Sequence, residues 1–252
     1  MTKRGQKDTV TSRAAPAARR SDSTPVASVA TTHRATAHDV RVRAIIEDVR
    51  PRVDGGRFPI KRAVGDEVFV EADVFTDGHD VPRALLRHRR SGESDWIEVE
   101  MTHLVNDRWR GRFVVDALGR YEYTVVAWTD RFATWRREFE RRDEASDILI
   151  ALRAGVGLLE SAAARAGGED AERLRAVALS WTAVEDPDEA RRAGLADDVH
   201  ELVGRHPDRR FETVHEPVLC VVVDPVLARC GAWYEFFPRS ASDDPGRHGT
   251  FR

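Results

Sequence analysis

The sequence has no run of apolar residues near the roughly 18–20 that a helix needs to cross a bilayer, so a membrane-spanning helix is excluded. Cysteine is scarce: Cys220 and Cys230 are the only two, and they form no CxxC pair. Small buried thiols in a reducing cytoplasm are expected, with a disulfide as the lesser alternative. An excess of either charge is also missing. The 40 Lys and Arg face 43 Asp and Glu, for a net charge of -3, which argues against a dedicated nucleic-acid binder. GxSxG, a phosphate loop and a Cys/His pair in a nucleophile setting are all absent. Residues 1–38 contain no Leu, Ile or aromatic residue and carry seven Lys/Arg against two Asp. They lack the apolar stretch of a secretory signal and too few large side chains exist to offset the entropy of ordering them. A flexible basic tail is the expectation, with a docking arm as the alternative.

What is present begins at Asp39. "VRVRAII" (Val40–Ile46) starts with period-two alternation, and "EVFVEADVF" (Glu67–Phe75) places Val68, Val70, Ala72 and Val74 on one face before the turn "TDGHD". Further strands are expected at Arg83–Arg90, Asp95–Met101, Arg108–Val115, Arg120–Trp128 and Thr134–Glu140. Short strands separated by Asp/Gly/Asn turns spell an antiparallel sandwich. Residues 39–140 make about 100, the size of an immunoglobulin-like domain.

After Arg142 the period changes. Asp143 or Ser146 can cap a helix carrying Ile148, Leu149, Leu152, Val156 and Leu159, ended by Gly167-Gly168. A second helix shows Leu174, Val177, Ala178 and Trp181, and a third pattern runs through Leu195, Val199 and Leu202 to Gly204 and Pro207. Three amphipathic helices with short loops predict a small bundle. Strand texture then resumes in "PVLCVVVD" (Pro217–Asp224), a nearly continuous apolar run suited to burial on both faces. Either the bundle is an insertion and this strand returns to the sandwich, or a separate domain begins here.

Candidate sites are few. Among 43 carboxylates, pairs such as Asp197-Asp198 match a solvated helix face better than a catalytic dyad. His206 and His215 have no Cys/His/Asp partner at metal-ligand spacing and read as polar loop residues. "AGVG" (Ala154–Gly157) lies inside a helical pattern, where small residues favour close packing rather than phosphate binding. Trp109, Trp128, Trp135 and Tyr121 can supply a sugar-stacking surface, although alternating aromatics in a sandwich are more often core. Catalytic, cofactor-binding and metal-binding residues are therefore none.

Several longer strings resemble one family. They are "VRPRVDGGRFPIKRAVGDEV" (Val49–Val68), "EADVFTDGHD" (Glu71–Asp80), "NDRWRGRF" (Asn106–Phe113), "GRYEYTVVAWTDRFATWRRE" (Gly119–Glu138), "RHPDRRF" (Arg205–Phe211) and "AWYEFFPRS" (Ala232–Ser240), continued by "GRHGTF" through Phe251. The last is similar to the first barrel strand of the alpha-amylase superfamily. Together they resemble the bacterial α-1,4-glucan:maltose-1-phosphate maltosyltransferases, from Val40 onward.

The resemblance implies an α+β multidomain architecture. An immunoglobulin-like sandwich (39–142) would follow the tail, with an inserted helical bundle (143–205) and a return strand (206–230). The start of a (β/α)8 barrel (231–252) would come last, incomplete in this chain. It implies maltosyl transfer from maltose 1-phosphate to the non-reducing end of an α-1,4-glucan, by a retaining mechanism with two barrel carboxylates and no cofactor or metal. Those carboxylates have no positions to map onto here, so the 252 residues alone are expected to be inactive. The family also implies a cytoplasmic homodimer formed through sandwich and bundle, without nucleic-acid or membrane partners. A stand-alone dimerisation or glucan-binding module is the alternative.

Overall fold

The computed structural model describes residues 43–231, 235, 237–238 and 241–249. The expected basic tail lies outside them, as does the expected barrel strand Trp233–Phe237 apart from the isolated positions Glu235 and Phe237.

In chain order the elements are β1 (Ala44–Arg50), β2 (Ile60–Ala63), β3 (Glu67–Thr76), β4 (Val81–Arg90), β5 (Ile97–Glu100), β6 (Thr102–His103), β7 (Arg108–Val114) and β8 (Gly119–Asp130). Five helices follow: α1 (Arg131–Glu140), α2 (Ala145–Arg165), α3 (Gly168–Ala183), α4 (Pro187–Gly194) and α5 (Asp197–Gly204). Two strands close the series, β9 (Thr213–Val214) and β10 (Leu219–Asp224). The protein is thus mixed α+β, with two sheets and five helices.

One sheet has the order β1-β3-β7-β6. The other runs β2-β10-β8-β4-β5, with β9 paired to β8. Alternation explains how they stack. Val68, Val70, Ala72 and Val74 of β3 are buried, as are Ala84 and Leu86 of β4 and Tyr121, Tyr123, Val125 and Ala127 of β8, all in one shared cluster. Gly78, at φ +91, makes the β3–β4 turn that the sequence signals. β10 does return to this layer, antiparallel to β8 and parallel to β2. It is not buried on both faces as expected: Leu219, Val221 and Val223 enter the core, while Cys220, Val222 and Asp224 are half-buried on the other side.

The segment Thr134–Glu140 is a correction. It lies in helix α1, not a strand, because Phe132, Trp135 and Phe139 share a helical face turned to the bundle. Asp130 caps it, its carboxylate accepting the Ala133 N–H at 2.9 Å. The third helical pattern is likewise two helices. Asp186 accepts the Glu189 N–H and Pro187 opens α4, while Gly194 to Ala196 breaks the chain before α5.

The helices enclose a second core. Trp181, 2% exposed, lies 5.4 Å from Trp135, which stacks on Phe139 at 5.0 Å. Gly155 gives them room. A Cβ there would sit 2.6 Å from Trp135 Cζ2 and 2.8 Å from Trp181 Cζ3, which confirms the close-packing reading of "AGVG" at this glycine, whereas Gly157 faces open space.

Candidate functional site

Where the ends of β4 and β8 meet α1, α2 and the segment returning to β9, the surface holds a cleft of about 650 Å³. Trp128, Trp135 and Leu158 contribute to its lining, with Arg131, Glu138 and Asp208 among the charged groups. The local chemistry places them. Thr134 holds the start of α1 to the sheet, accepting the Val81 N–H at 2.9 Å and donating to the Asp130 carbonyl at 2.7 Å. Residues 131, 135 and 138 then fall on one helical stripe.

The four aromatics proposed as a stacking surface are used internally. Trp128 is 3% exposed and lies under the Arg209 guanidinium at 5.0 Å. Tyr121 is buried, its hydroxyl donating to Asp116. Trp109 and Trp135 are half-buried, with indole N–H groups donating to the carbonyls of Val74 and Ala151. The structure brings Trp128 and Trp135 together at the cleft and leaves Trp109 on the other sheet.

Most of the charge around the cleft is already matched. Arg43 pairs with Asp77 and Asp80, and Asp208 pairs with Arg210 at 2.7 Å. The Arg210 guanidinium holds the Asp208 carboxyl down at about 2. Arg131 and Glu138 are exposed and have no ion pair among the described residues. Every carboxylate with a resolved shift (Asp48, Asp66, Glu98, Asp116, Asp170 and Asp208) is lowered, chiefly by hydrogen bonds donated to it. These groups are fixed acceptors at neutral pH. A general acid requires the opposite shift.

The string Arg205–Phe211 shows what sequence reasoning missed. His206 Nε2 and Arg205 both reach Asp170 at the start of α3, at 2.8 and 3.2 Å. Arg209 binds both oxygens of Glu98 on β5, at 2.8 and 2.9 Å, and its Nε reaches Glu212 at 2.8 Å. Arg87 of β4 closes the circuit, at 2.7 Å to Glu98 and 3.1 Å to Glu212. This four-member ring ties the return segment to the outer face of the sheet, and Arg209 foremost holds the Glu98 carboxyl at about 2. The sequence offered the density of Arg and acidic residues as a signal. It offered nothing about which of them meet.

The other singled-out residues have structural places. Asp197 stands on the first turn of α5, bound to Arg136 at 2.7 Å. The main-chain N–H of His215 donates to the Val125 carbonyl. Both cysteines are free. Cys220 is half-buried on β10, but Cys230 is exposed rather than buried, because the chain has already left the sheet. Among the described residues no group of three or more His, Cys, Asp or Glu is placed to hold a metal, and no helix is long and apolar enough to cross a membrane.

Two sheets that share one core, with five helices around a second core between the eighth and ninth strands, define a mixed α+β domain. A family model described as alpha-1,4-glucan:maltose-1-phosphate maltosyltransferase, domain N/S, matches residues 42–225. The chain belongs to that family. It is 44% identical over 215 residues to the alpha-1,4-glucan:maltose-1-phosphate maltosyltransferase of Chlorobaculum tepidum, covering 85% of this chain and 32% of that protein. The Myxococcus xanthus protein of the same name is 44% identical over 216 residues, covering 82% and 32%. For that of Rhodospirillum rubrum the figure is 40% over 224 residues. The chain spans about a third of the length of the curated relatives it matches.

Proposed function

We propose that this chain is the sandwich-and-bundle scaffold of a maltosyltransferase. The whole protein would transfer maltosyl units from maltose 1-phosphate to the non-reducing ends of α-1,4-glucans in the cytoplasm. The observation that carries the reading is the domain N/S match, which covers both sheets and the whole bundle. In this reading the two-sheet layer is an immunoglobulin-like sandwich and the residues after Gly231 open a (β/α)8 barrel. The retaining carboxylate pair, roughly 5–5.5 Å apart, belongs to that barrel. The test is to assay the purified 252-residue protein with maltose 1-phosphate and maltohexaose for phosphate release, and to sequence the genomic DNA past Arg252. No turnover, together with a downstream frame encoding an amylase-type barrel, is expected. Turnover that survives repeated purification, or unrelated downstream sequence, overturns the reading.

The second reading is a dimerisation module. The apolar stripes Ile148–Leu159 and Leu195–Leu202 are occupied by the helices' own core, but Ile150 and Leu179 remain 63% and 73% exposed on α2 and α3. Sedimentation velocity decides: a monomer at tens of micromolar removes a homodimer built on these helices.

A further inference from the structure

His88, His200 and His215 share one feature. In each, the ring Nδ1 is buried and has no hydrogen-bond partner. Their places differ. His88 belongs to β4, follows Leu86 on the inward face, and stacks on Phe113 of β7 at 4.5 Å, so it sits between the two sheets. His200 belongs to α5 and lies 6.1 Å from the Phe132 ring, on the side where Arg83 of β4 approaches Gly204. His215 stands between β9 and β10, its backbone bound to β8 through Val125 and Thr124.

A neutral imidazole with its proton on Nε2 leaves only a lone pair at the sealed Nδ1. The imidazolium must place an N–H there, and a buried donor without an acceptor is costly. In the unfolded chain both nitrogens meet water and the ring protonates near 6.5. Burial pushes all three rings below that value. The charged neighbours do not reverse it. Asp116 alone pulls His88 upward, with the Tyr123 ring on the adjoining strand. Around His200, Arg136 and Arg83 oppose Asp130 and Asp197. Around His215, Arg52 opposes Glu216 and the Pro217 backbone.

We propose that His88, His200 and His215 act as a three-point acid release, whose protonation on acidification loosens the sheet–sheet, sheet–bundle and return-segment seams together. The sign follows from linkage. A base that protonates less readily in the fold leaves the unfolded state binding more protons, so stability is full above the unfolded value and falls as pH drops through it. The carboxylate ties act elsewhere, since Glu98 and Asp208 sit at about 2 and stay ionised throughout this window.

Denaturant unfolding of the 252-residue protein, followed from pH 7 to 5.5, reads the device directly. More than one proton taken up on unfolding at pH 6 is expected, which raises the unfolding constant more than about tenfold per pH unit. An uptake of one or fewer overturns the proposal. Replacing all three by Gln (H88Q, H200Q, H215Q) is expected to bring the slope below about tenfold per unit; an unchanged slope also overturns it. Should the triple variant not fold, NMR titration of the parent's nine histidine rings decides. Three rings titrating below pH 6 support the device, and fewer than three end it.

Discussion

The two cores of this protein are packed on different terms. Between the sheets the buried side chains are mostly Val, Ala, Leu and Ile on alternating positions, with Phe113, Tyr121 and Tyr123 as the large members. Among the helices, Trp181, Phe139 and Phe132 are buried around a half-buried Trp135, and glycines stand where backbone meets ring. Aliphatic chains on a pleated surface shift rotamers to accommodate a change. Fused aromatic rings locked against one another have few alternatives. Position rather than chemistry should therefore decide what one added methyl group does.

The largest effect is expected in the bundle. Gly155→Ala drives a Cβ to within 2.8 Å of two indole rings, and Gly194→Ala places one 2.5 Å from Phe139 Cε1. Overpacking costs about 1–3 kcal/mol and helix propensity returns about 1. At these distances from rigid rings the steric side wins, and a net loss of about 2 kcal/mol for either variant should appear in denaturant unfolding. A loss below about 0.5 would mean the rings move freely and the contrast between the cores is wrong.

Next comes the ring of Arg87, Glu98, Arg209 and Glu212, which belongs to neither core. Glu98 is lowered in the fold from an ordinary 4.5 to about 2. A depressed carboxyl contributes stability that is complete above the unfolded value and disappears as pH falls from about 4.5 toward 2. The ring is partly solvated, so screening limits the loss to about 1 kcal/mol. Glu98→Gln should lessen the acid-side slope by Glu98's share, with the other lowered carboxylates keeping theirs, and leave the histidine window above pH 5.5 intact. An unaltered acid limb would show that the ring carries no free energy.

How much of this was readable beforehand varies with locality. The strand at Glu67–Thr76 and the helix at Ala145–Arg165 announce themselves because their periods are carried by ten or more consecutive residues. β2 does not, since Ile60–Ala63 is four residues long and becomes a strand only by pairing with Val221–Asp224 far along the chain. From sequence α1 reads as a strand because "TWRREFE" alternates well enough for one. Asp130, the cap that settles it, reads equally as the end of β8. The resemblance marks Arg205–Phe211 as a meaningful string, but its partners Asp170 and Glu98 lie on two other elements. Sealed ring nitrogens are invisible to any pattern, because His88 occupies a core-facing position that a strand usually gives to an apolar residue.

A methyl added to the sheet core sharpens the contrast from the other side. Gly111→Ala on β7 meets Leu86 Cβ and Met101 Cγ at 3.1 Å and Leu86 Cδ2 at 3.2 Å. Those neighbours are mostly flexible side chains that need to yield only a few tenths of an ångström. Stability within about 1 kcal/mol of the parent is expected, since relief of glycine's backbone entropy offsets part of the crowding. A loss as large as that of Gly155→Ala would make the two cores equally rigid.

The smallest effect should carry the opposite sign. Gly157 lies on the same helix as Gly155, two residues on, and a Cβ there meets nothing within 4 Å. Two residues turn the helix by about 200°, which takes the side chain from the aromatic cluster to the solvent face. Gly157→Ala therefore keeps the propensity gain of about 0.5–1 kcal/mol with no steric cost. A thermal melt should rise by a few degrees, while that of Gly155→Ala falls. If both variants melt lower, helix α2 needs glycine for its backbone path, and the indole contacts at Gly155 are not the reason glycine stands there.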